Sequence, residues 1–60
     1  MTTMFRAVVN GREIWWDVSC RTEGDWYART YDGKFLADHC PTYEEAVRQG
    51  QATLAQCAAA

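Results

Sequence analysis

The side chains of this 60-residue protein that could do chemistry are few: one histidine and three cysteines. His39 is followed directly by Cys40, and a thiol beside an imidazole is a pairing that nucleophilic catalysis uses. Neighbouring side chains of a strand, however, point to opposite faces of the sheet. We therefore expect no enzyme activity and no catalytic residues, and we interpret His39 as a half-buried residue at the end of a strand.

A metal site could combine Cys20, His39 and Cys57, which the patterns below place on the core side. Their spacing lacks the paired ligands typical of zinc sites, and a fourth ligand is missing. We predict neither a metal nor a cofactor, and we interpret the cysteines as small apolar core residues. An odd number of cysteines also favours reduced thiols in a cytoplasmic protein over a secreted disulfide framework.

Length and composition limit the chain to one small domain, residues 1–60. Hydrophobic residues make up 48% and charged residues 23%, which is typical of a globular domain. No apolar run approaches the roughly 20 residues of a membrane helix, so we expect no membrane contact. The formal net charge of −2 argues against a basic nucleic-acid binder.

Asn10-Gly11 lies between two strand-like segments and is a strong signal for a hairpin with a two-residue turn. Such a turn places Val9 opposite Arg12, and Phe5 opposite Trp16. One face of this hairpin is then almost entirely apolar, and we predict that it faces the core. This face holds Phe5, Ala7, Val9, Ile14, Trp16, Val18 and Cys20.

Asp32-Gly33 predicts a second hairpin with the same kind of turn, which places Thr30 opposite Phe35 and Tyr31 opposite Lys34. A five-residue loop, 21–25, joins the two hairpins and lets Cys20 pair near Trp26. The less charged face of the second hairpin is predicted to join the core. This face holds Trp26, Ala28, Thr30, Phe35, Ala37 and His39.

A helix is predicted to begin after Pro41, with Thr42 as N-cap and Glu45 completing a capping box. Its apolar stripe is Tyr43, Val47, Gly50, Leu54 and Cys57. A glycine on the apolar face suggests that Trp16 or Trp26 lies against the helix backbone. The predicted fold is α+β: a four-stranded antiparallel meander with one C-terminal helix packed on one face.

The sheet face away from the helix would display aromatic and aliphatic residues, namely Met4, Val8, Trp15, Tyr27, Tyr31 and Leu36, with the basic residues Arg6, Arg29 and Lys34 among them. Arg6 lies opposite Trp15, which suggests a cation–π pair. Tryptophan, tyrosine and arginine dominate protein-binding hot spots, but the same mixture can stack on single-stranded nucleic acid. Cross-strand packing that only stiffens the sheet is the third interpretation.

Acidic residues collect at the end of the sheet opposite the two tight turns, where Arg21 is the only basic residue expected nearby. This acidic pole consists of Glu23, Asp25, Asp38, Glu44 and Glu45. Such a group can steer a protein toward a basic partner surface or occupy a groove meant for phosphates. Helix capping and solubility are the alternative explanation.

The segments Gly24-Asp25-Trp26-Tyr27-Ala28 and Pro41-Thr42-Tyr43-Glu44-Glu45-Ala46-Val47, with the order of strands and helix, resemble the HicB-like antitoxin domain. The resemblance implies a module that buries a toxin's site. The chain departs from that family's pattern in having Asp32-Gly33 in place of a Pro-Gly-Cys-like turn. By size and acidity the chain is also similar to phage anti-CRISPR inhibitors.

The stretches 26–29, 32–34 and 42–46 also resemble the sheet-and-helix DNA-binding domains of the arm and AP2 types. That resemblance implies a nucleic-acid-binding sheet that uses Arg6, Arg29, Lys34 and Trp15. The leading hypothesis is instead a small non-enzymatic inhibitor, encoded by a phage or mobile element. Its acidic pole and aromatic face would bind a basic, nucleic-acid-handling protein, either a host defence complex or a toxin. A dimerising structural module is a further alternative, and we expect a monomer or homodimer.

Overall fold

A computed structural model describes residues 4–59 of the chain. Four strands and one helix follow in the order β1 (Met4–Val9), β2 (Arg12–Thr22), β3 (Asp25–Thr30), β4 (Phe35–Cys40) and α1 (Tyr43–Ala59). The strands form one antiparallel sheet in sequence order, and α1 packs on one face, so the predicted α+β meander is confirmed. Within residues 4–59, no helix has the length and apolarity needed to cross a membrane.

The first hairpin, β1–β2, has the predicted turn and register. Asn10 and Gly11 both have positive φ, at 52° and 78°, as a type I′ turn requires. Val9 pairs with Arg12, and Phe5 pairs with Trp16, without any irregularity between the two strands. Trp16 is only 2% exposed, and its ring centroid lies 4.7 Å from that of Phe5.

The second hairpin, β3–β4, differs from the prediction because its loop has three residues instead of two. The Thr30 N–H donates to the Lys34 carbonyl at 2.8 Å, and the Gly33 N–H donates to the Thr30 carbonyl at 3.0 Å. Gly33 has a φ of 96°, as in a turn closed by a left-handed glycine. The predicted register is therefore wrong next to the turn, where Phe35 pairs with Arg29 and not with Thr30. It is correct further along, where Ala28 pairs with Ala37.

This shift is local, because Leu36 is an extra residue of β4 between the pairs Arg29–Phe35 and Ala28–Ala37, and Ala37 packs against the core as predicted. Leu36 is buried, whereas Phe35, which the sequence pattern placed in the core, is 47% exposed. A second register irregularity follows along β4, and His39 adopts a φ of 54°. As a result Cys40 is buried and His39 is exposed, so the predictions of a core position and of half-burial for His39 were wrong.

The joint between the hairpins is shorter than predicted, with only Glu23 and Gly24 between β2 and β3. Cys20 pairs with Trp26 as expected, and an irregularity between Cys20 and Thr22 leaves Arg21 as an extra residue. Cys20 lies on the core-facing side by alternation, yet it is exposed because it comes at the end of the sheet.

Helix α1 covers the core face of the sheet. The Glu45 N–H donates to the Thr42 hydroxyl at 3.2 Å, which confirms the predicted N-cap. A Cβ on Gly50 would lie 2.8 Å from a ring carbon of Trp16, so the expected aromatic contact is present. The core side also includes Ala46, which the predicted stripe omitted, and excludes the exposed Cys57.

Candidate functional site

The sheet surface away from α1, which we call the outer face, is covered by no other element of residues 4–59 and carries most of their exposed aromatic side chains. By strand alternation and register, it includes residues from all four strands. These residues are Met4, Arg6, Val8, Glu13, Trp15, Asp17, Ser19, Tyr27, Arg29 and Phe35. Tyr31 follows β3 in the loop and is 86% exposed.

An aromatic cluster occupies the β3–β4 half of the outer face. The ring centroids of Tyr27 and Phe35 lie 5.6 Å apart, with an edge-to-face angle of 62°. The guanidinium carbon of Arg21 lies 4.6 Å from the Tyr27 centroid and 5.5 Å from that of Phe35. Arg29 approaches Tyr27 at 5.7 Å. Cations therefore lie over the rings, which is a favourable arrangement for both groups.

The same Arg21 joins the cluster to the acidic pole. Its Nη1 donates to Asp38 Oδ1 at 2.6 Å and to Asp25 Oδ1 at 3.4 Å, and its Nη2 reaches Asp38 Oδ2 at 3.4 Å. The hydrogen bond from Arg21 lowers the pKa of Asp38, and the bond to Asp38 raises the pKa of Arg21. This near-bidentate pair holds the Arg21 guanidinium close to the two rings.

A second network lies on the β1–β2 half of the outer face. Arg6 Nε donates to Glu13 Oε2 at 2.5 Å, and the Trp15 indole N–H donates to Glu13 Oε1 at 2.8 Å. These bonds, the one from Arg6 first, lower the pKa of Glu13. The predicted cation–π pair of Arg6 with Trp15 is therefore replaced by a carboxylate that bonds both side chains.

A groove of about 510 Å³ lies at the turn end of the molecule, next to the outer face. Trp15 and Tyr31 contribute to its lining, together with Ile14 and the basic residues Arg12 and Lys34. The Tyr31 N–H donates to the Trp15 carbonyl at 2.7 Å, which attaches the loop to β2. Two of the predicted binding residues thus lie beside one concave surface.

The acidic pole is more neutralised than the sequence suggested. Arg21 bonds Asp25 and Asp38, and Arg48 bonds Glu45 through two guanidinium nitrogens. Bonds from Arg48 and Gln49 lower the pKa of Glu45 to about 2. The Glu45 carboxylate bonds these two side chains and not the Thr42 N–H, so the predicted capping box is not complete. The sequence predicted Arg21 as the only basic residue beside these carboxylates. Arg48 is a second one.

The remaining two members of the acidic pole, Glu23 and Glu44, are exposed. Within residues 4–59, neither side chain is found in a hydrogen bond or an ion pair.

The histidine and cysteines do not form the sites considered above. The Cys40 thiol is buried and directed at the Asp38 carbonyl, 3.7 Å away, and burial raises its pKa. His39 is exposed and its Nδ1 lies 3.2 Å from Asp25 Oδ1. The three residues of the considered metal site, Cys20, His39 and Cys57, are all exposed, so the interpretation of Cys20 and Cys57 as core residues was wrong, although Cys20 lies on the core-facing side of β2.

Ligand-type atoms of Asp25, Asp38 and His39 do lie within 4.8 Å of one another. The guanidinium of Arg21 already bonds both carboxylates. A cation in this position would have to displace that positive charge, and the group is therefore interpreted as an ion-pair network.

Comparison of the chain with protein-family models, curated proteins and solved structures found no match. The resemblances to HicB-like and anti-CRISPR proteins therefore stay predictions, and the functional argument rests on the geometry of the chain itself.

Sequence reasoning found Trp15, Tyr27 and Tyr31 on the outer face but missed Phe35 and the central position of Arg21. Phe35 was assigned to the core because a two-residue turn was assumed. The signal that could have found it is Leu36, an aliphatic residue that a regular strand cannot bury together with Phe35. The contribution of Arg21 depends on the irregularity in β2, which has no clear sequence signature.

Proposed function

We propose that the protein is a non-enzymatic binding protein that inhibits a larger partner protein by docking its outer face on that partner. The observation that carries this proposal is the aromatic cluster of the outer face, in which Arg21 lies over the rings of Tyr27 and Phe35. Arg29 lies over the Tyr27 ring, and the exposed Trp15 is on the same face. Residues of these types supply most of the binding energy at protein interfaces.

The ion pairs on and beside this face favour a protein partner. Arg6 is already bonded to Glu13, and Arg21 to Asp38 and Asp25. Pairs formed before binding hold the side chains in place, so less side-chain entropy is lost on docking. Acidic groups also lie among the basic ones. This surface therefore lacks the continuous positive charge that would attract phosphate groups.

The acidic pole contributes orientation more than affinity. Five carboxylates with Arg21 and Arg48 among them leave this end negative, and Glu23 and Glu44 are exposed. A negative end steers association with a basic surface, such as that of a nucleic-acid-handling protein. The resemblance to antitoxin and anti-CRISPR proteins supports the inhibitory role and the choice of such a partner.

A nucleic-acid-binding sheet is the second candidate function. Arg29 over the Tyr27 ring, with Phe35 and Trp15 on the same face, is an arrangement on which single-stranded bases could stack. This candidate predicts affinity for short oligonucleotides that falls steeply with salt.

The test is capture of the partner by immobilised protein from cells that carry this gene, with quantitative identification of what binds. The wild type is compared with a Trp15→Ala, Tyr31→Ala double variant, in which two exposed outer-face rings are removed. A Gln51→Ala, Gln56→Ala variant, changed on exposed positions of α1, is the matched control. We expect one captured protein to be lost from the outer-face variant and kept by the control.

The captured protein is then purified and its activity is titrated with the wild type and both variants. Inhibition by wild type and control, but not by the outer-face variant, would support the proposal. Equal capture by the wild type and both variants would move the proposed docking site to another surface. An affinity for oligonucleotides that the Trp15→Ala, Tyr31→Ala variant loses would favour the second candidate function.

A further inference from the structure

The two edges of the sheet differ in how well they are protected against pairing with another strand. The β4 edge contains two register irregularities and His39 in a left-handed conformation. The β1 edge pairs with β2 in unbroken register and contains neither proline nor a bulge. Irregular strands discourage edge-to-edge pairing, and regular ones invite it. The β1 edge is therefore the open one.

The hydrogen bonds of β2 show which main-chain groups of β1 are open. The Trp15 carbonyl accepts the Tyr31 N–H, so the main-chain groups of Trp15 point toward β3. Arg6 lies opposite Trp15, and its own N–H and C=O consequently point away from β2. By alternation the groups of Met4 and Val8 point the same way. Their side chains are exposed, at 39% for Met4 and 60% for Val8.

We propose that the chain forms a two-fold symmetric dimer in which β1 pairs antiparallel with β1 of a second copy, centred on Ala7. In this register Arg6 of one copy lies opposite Val8 of the other. Shifting the centre to Arg6 would place the two guanidiniums opposite each other, which is unfavourable. Centring on Ala7 also places Phe5 opposite Val9 on the core side, so apolar residues meet apolar residues there.

The neighbouring part of α1 favours a second copy as occupant. A groove of about 400 Å³ borders β1 on the core side, between Phe5 and the helix residues Tyr43, Val47 and Gln51. Its lining also includes Glu44 and Arg48, one turn apart on α1. The charges of Glu44 and Arg48 balance, so this lining has no net charge that would repel the same groove of a second copy. A two-fold axis at β1 places the same apolar, uncharged-overall lining of both copies side by side.

The dimer is tested by sedimentation velocity over a concentration series, with Val8→Pro as the decisive variant. Proline removes an outward N–H that β2 does not use, and proline is tolerated at such edge positions. Because the two-fold axis repeats the loss, we expect the dimer dissociation constant to rise at least about 10-fold. Val8→Ala keeps the N–H and should dimerise like the wild type. Circular dichroism checks that both variants fold.

A second variant serves if Val8→Pro does not fold. Val8→Lys places a cation opposite Glu13 within its own chain, which stabilises the monomer. In the dimer the same cation would lie opposite Arg6 of the second copy and would be repelled. We therefore expect Val8→Lys to fold and to weaken the dimer. A wild type that stays monomeric at every concentration, or a dimer that neither variant weakens, would overturn the proposal without affecting the proposed function of the outer face.

The register is tested by disulfide formation in a Cys20→Ser, Cys57→Ser background, which removes the two exposed thiols. Ala7→Cys places two thiols in a non-hydrogen-bonded pair on the axis, with Cα atoms about 4.5 Å apart. Val8→Cys is the matched control, since its two copies lie on a diagonal at about 7–8 Å. Rapid oxidation to a covalent dimer is expected for Ala7→Cys only. Equal or faster crosslinking of Val8→Cys would overturn the register.

Discussion

The two hairpins of this protein begin from nearly the same turn signal and end in different structures. Asn10-Gly11 forms a two-residue turn in which both residues have positive φ. Asp32-Gly33 forms part of a three-residue loop in which Gly33 has positive φ and Asp32 does not. The first hairpin keeps a regular, open edge strand, whereas the second contains irregularities and places Phe35 on the outer face. Asparagine or aspartate followed by glycine predicts a turn, but this pair does not determine how many residues the loop contains.

Local side-chain bonds explain why the second loop is longer. The Thr30 hydroxyl donates to the Asp32 carboxylate, and the Lys34 N–H donates to Thr30 Oγ1 at 3.0 Å. The first of these bonds is the largest cause of the lowered pKa of Asp32. Threonine and aspartate side chains thus stabilise a turn that the backbone dihedrals alone do not select. Burial of Leu36 favours the same register.

The largest expected effect comes from truncating Leu36, the observed core residue of β4, and comparing it with truncation of Phe35, the predicted one. Leu36→Ala should lower the free energy of unfolding by about 2–5 kcal/mol, because Leu36 is buried. Phe35→Ala should lower it by about 1 kcal/mol, since it loses mainly the contact with Tyr27. Urea denaturation of the two variants measures the difference. The opposite order would show that the two-residue turn and its register are correct after all.

A smaller effect is expected where the first hairpin meets the helix. Gly50→Ala improves helix propensity by about 1 kcal/mol, but its Cβ would lie 2.8 Å from the Trp16 ring. Overpacking against a rigid buried ring outweighs the gain, and we expect a net loss of about 1–2 kcal/mol. Thermal unfolding checks this, with Ala52→Gly on the exposed side as control for propensity. A stabilised Gly50→Ala variant would mean that Trp16 does not contact the helix backbone.

The smallest expected effect is a dependence on pH that both hairpins share. Arginine hydrogen bonds hold the pKa of Glu13 in the first hairpin and of Asp38 in the second below their ordinary values of 4.5 and 3.8. A lowered pKa in the folded state adds stability above the ordinary pKa, and this is lost as pH falls through the folded value. Melting temperatures should therefore fall progressively below a pH of about 4.5.

Glu13→Gln and Asp38→Asn should each reduce this acid dependence, and a double variant should reduce it further. An acid dependence that neither variant changes would assign the effect to other carboxylates, such as Glu45. Because Glu13 and Asp38 are exposed, added salt should weaken their part of the dependence.

Much of the fold could be predicted from the chain because its signals are local. The Asn10-Gly11 turn specifies the first register, the Thr42 hydroxyl marks the start of the helix, and Gly50 on the apolar stripe indicated a close aromatic neighbour. Each is a property of a few consecutive residues. The outer-face residues Trp15 and Tyr27 follow from the same alternation. Phe35 could not be assigned because its side depends on one residue of loop length.

The sequence by itself thus determined the order of the elements, the first hairpin and the helix start, since turn and cap geometry are encoded within a few residues. Only the tertiary structure decided that Leu36 is buried instead of Phe35, because that choice depends on packing under α1, where Thr53 also bonds the Leu36 carbonyl at 2.8 Å. The tertiary structure likewise decided that Arg21 neutralises Asp25 and Asp38 while stacking on Tyr27. Those groups come from different strands, and an ion pair between strands exists only once their register is set.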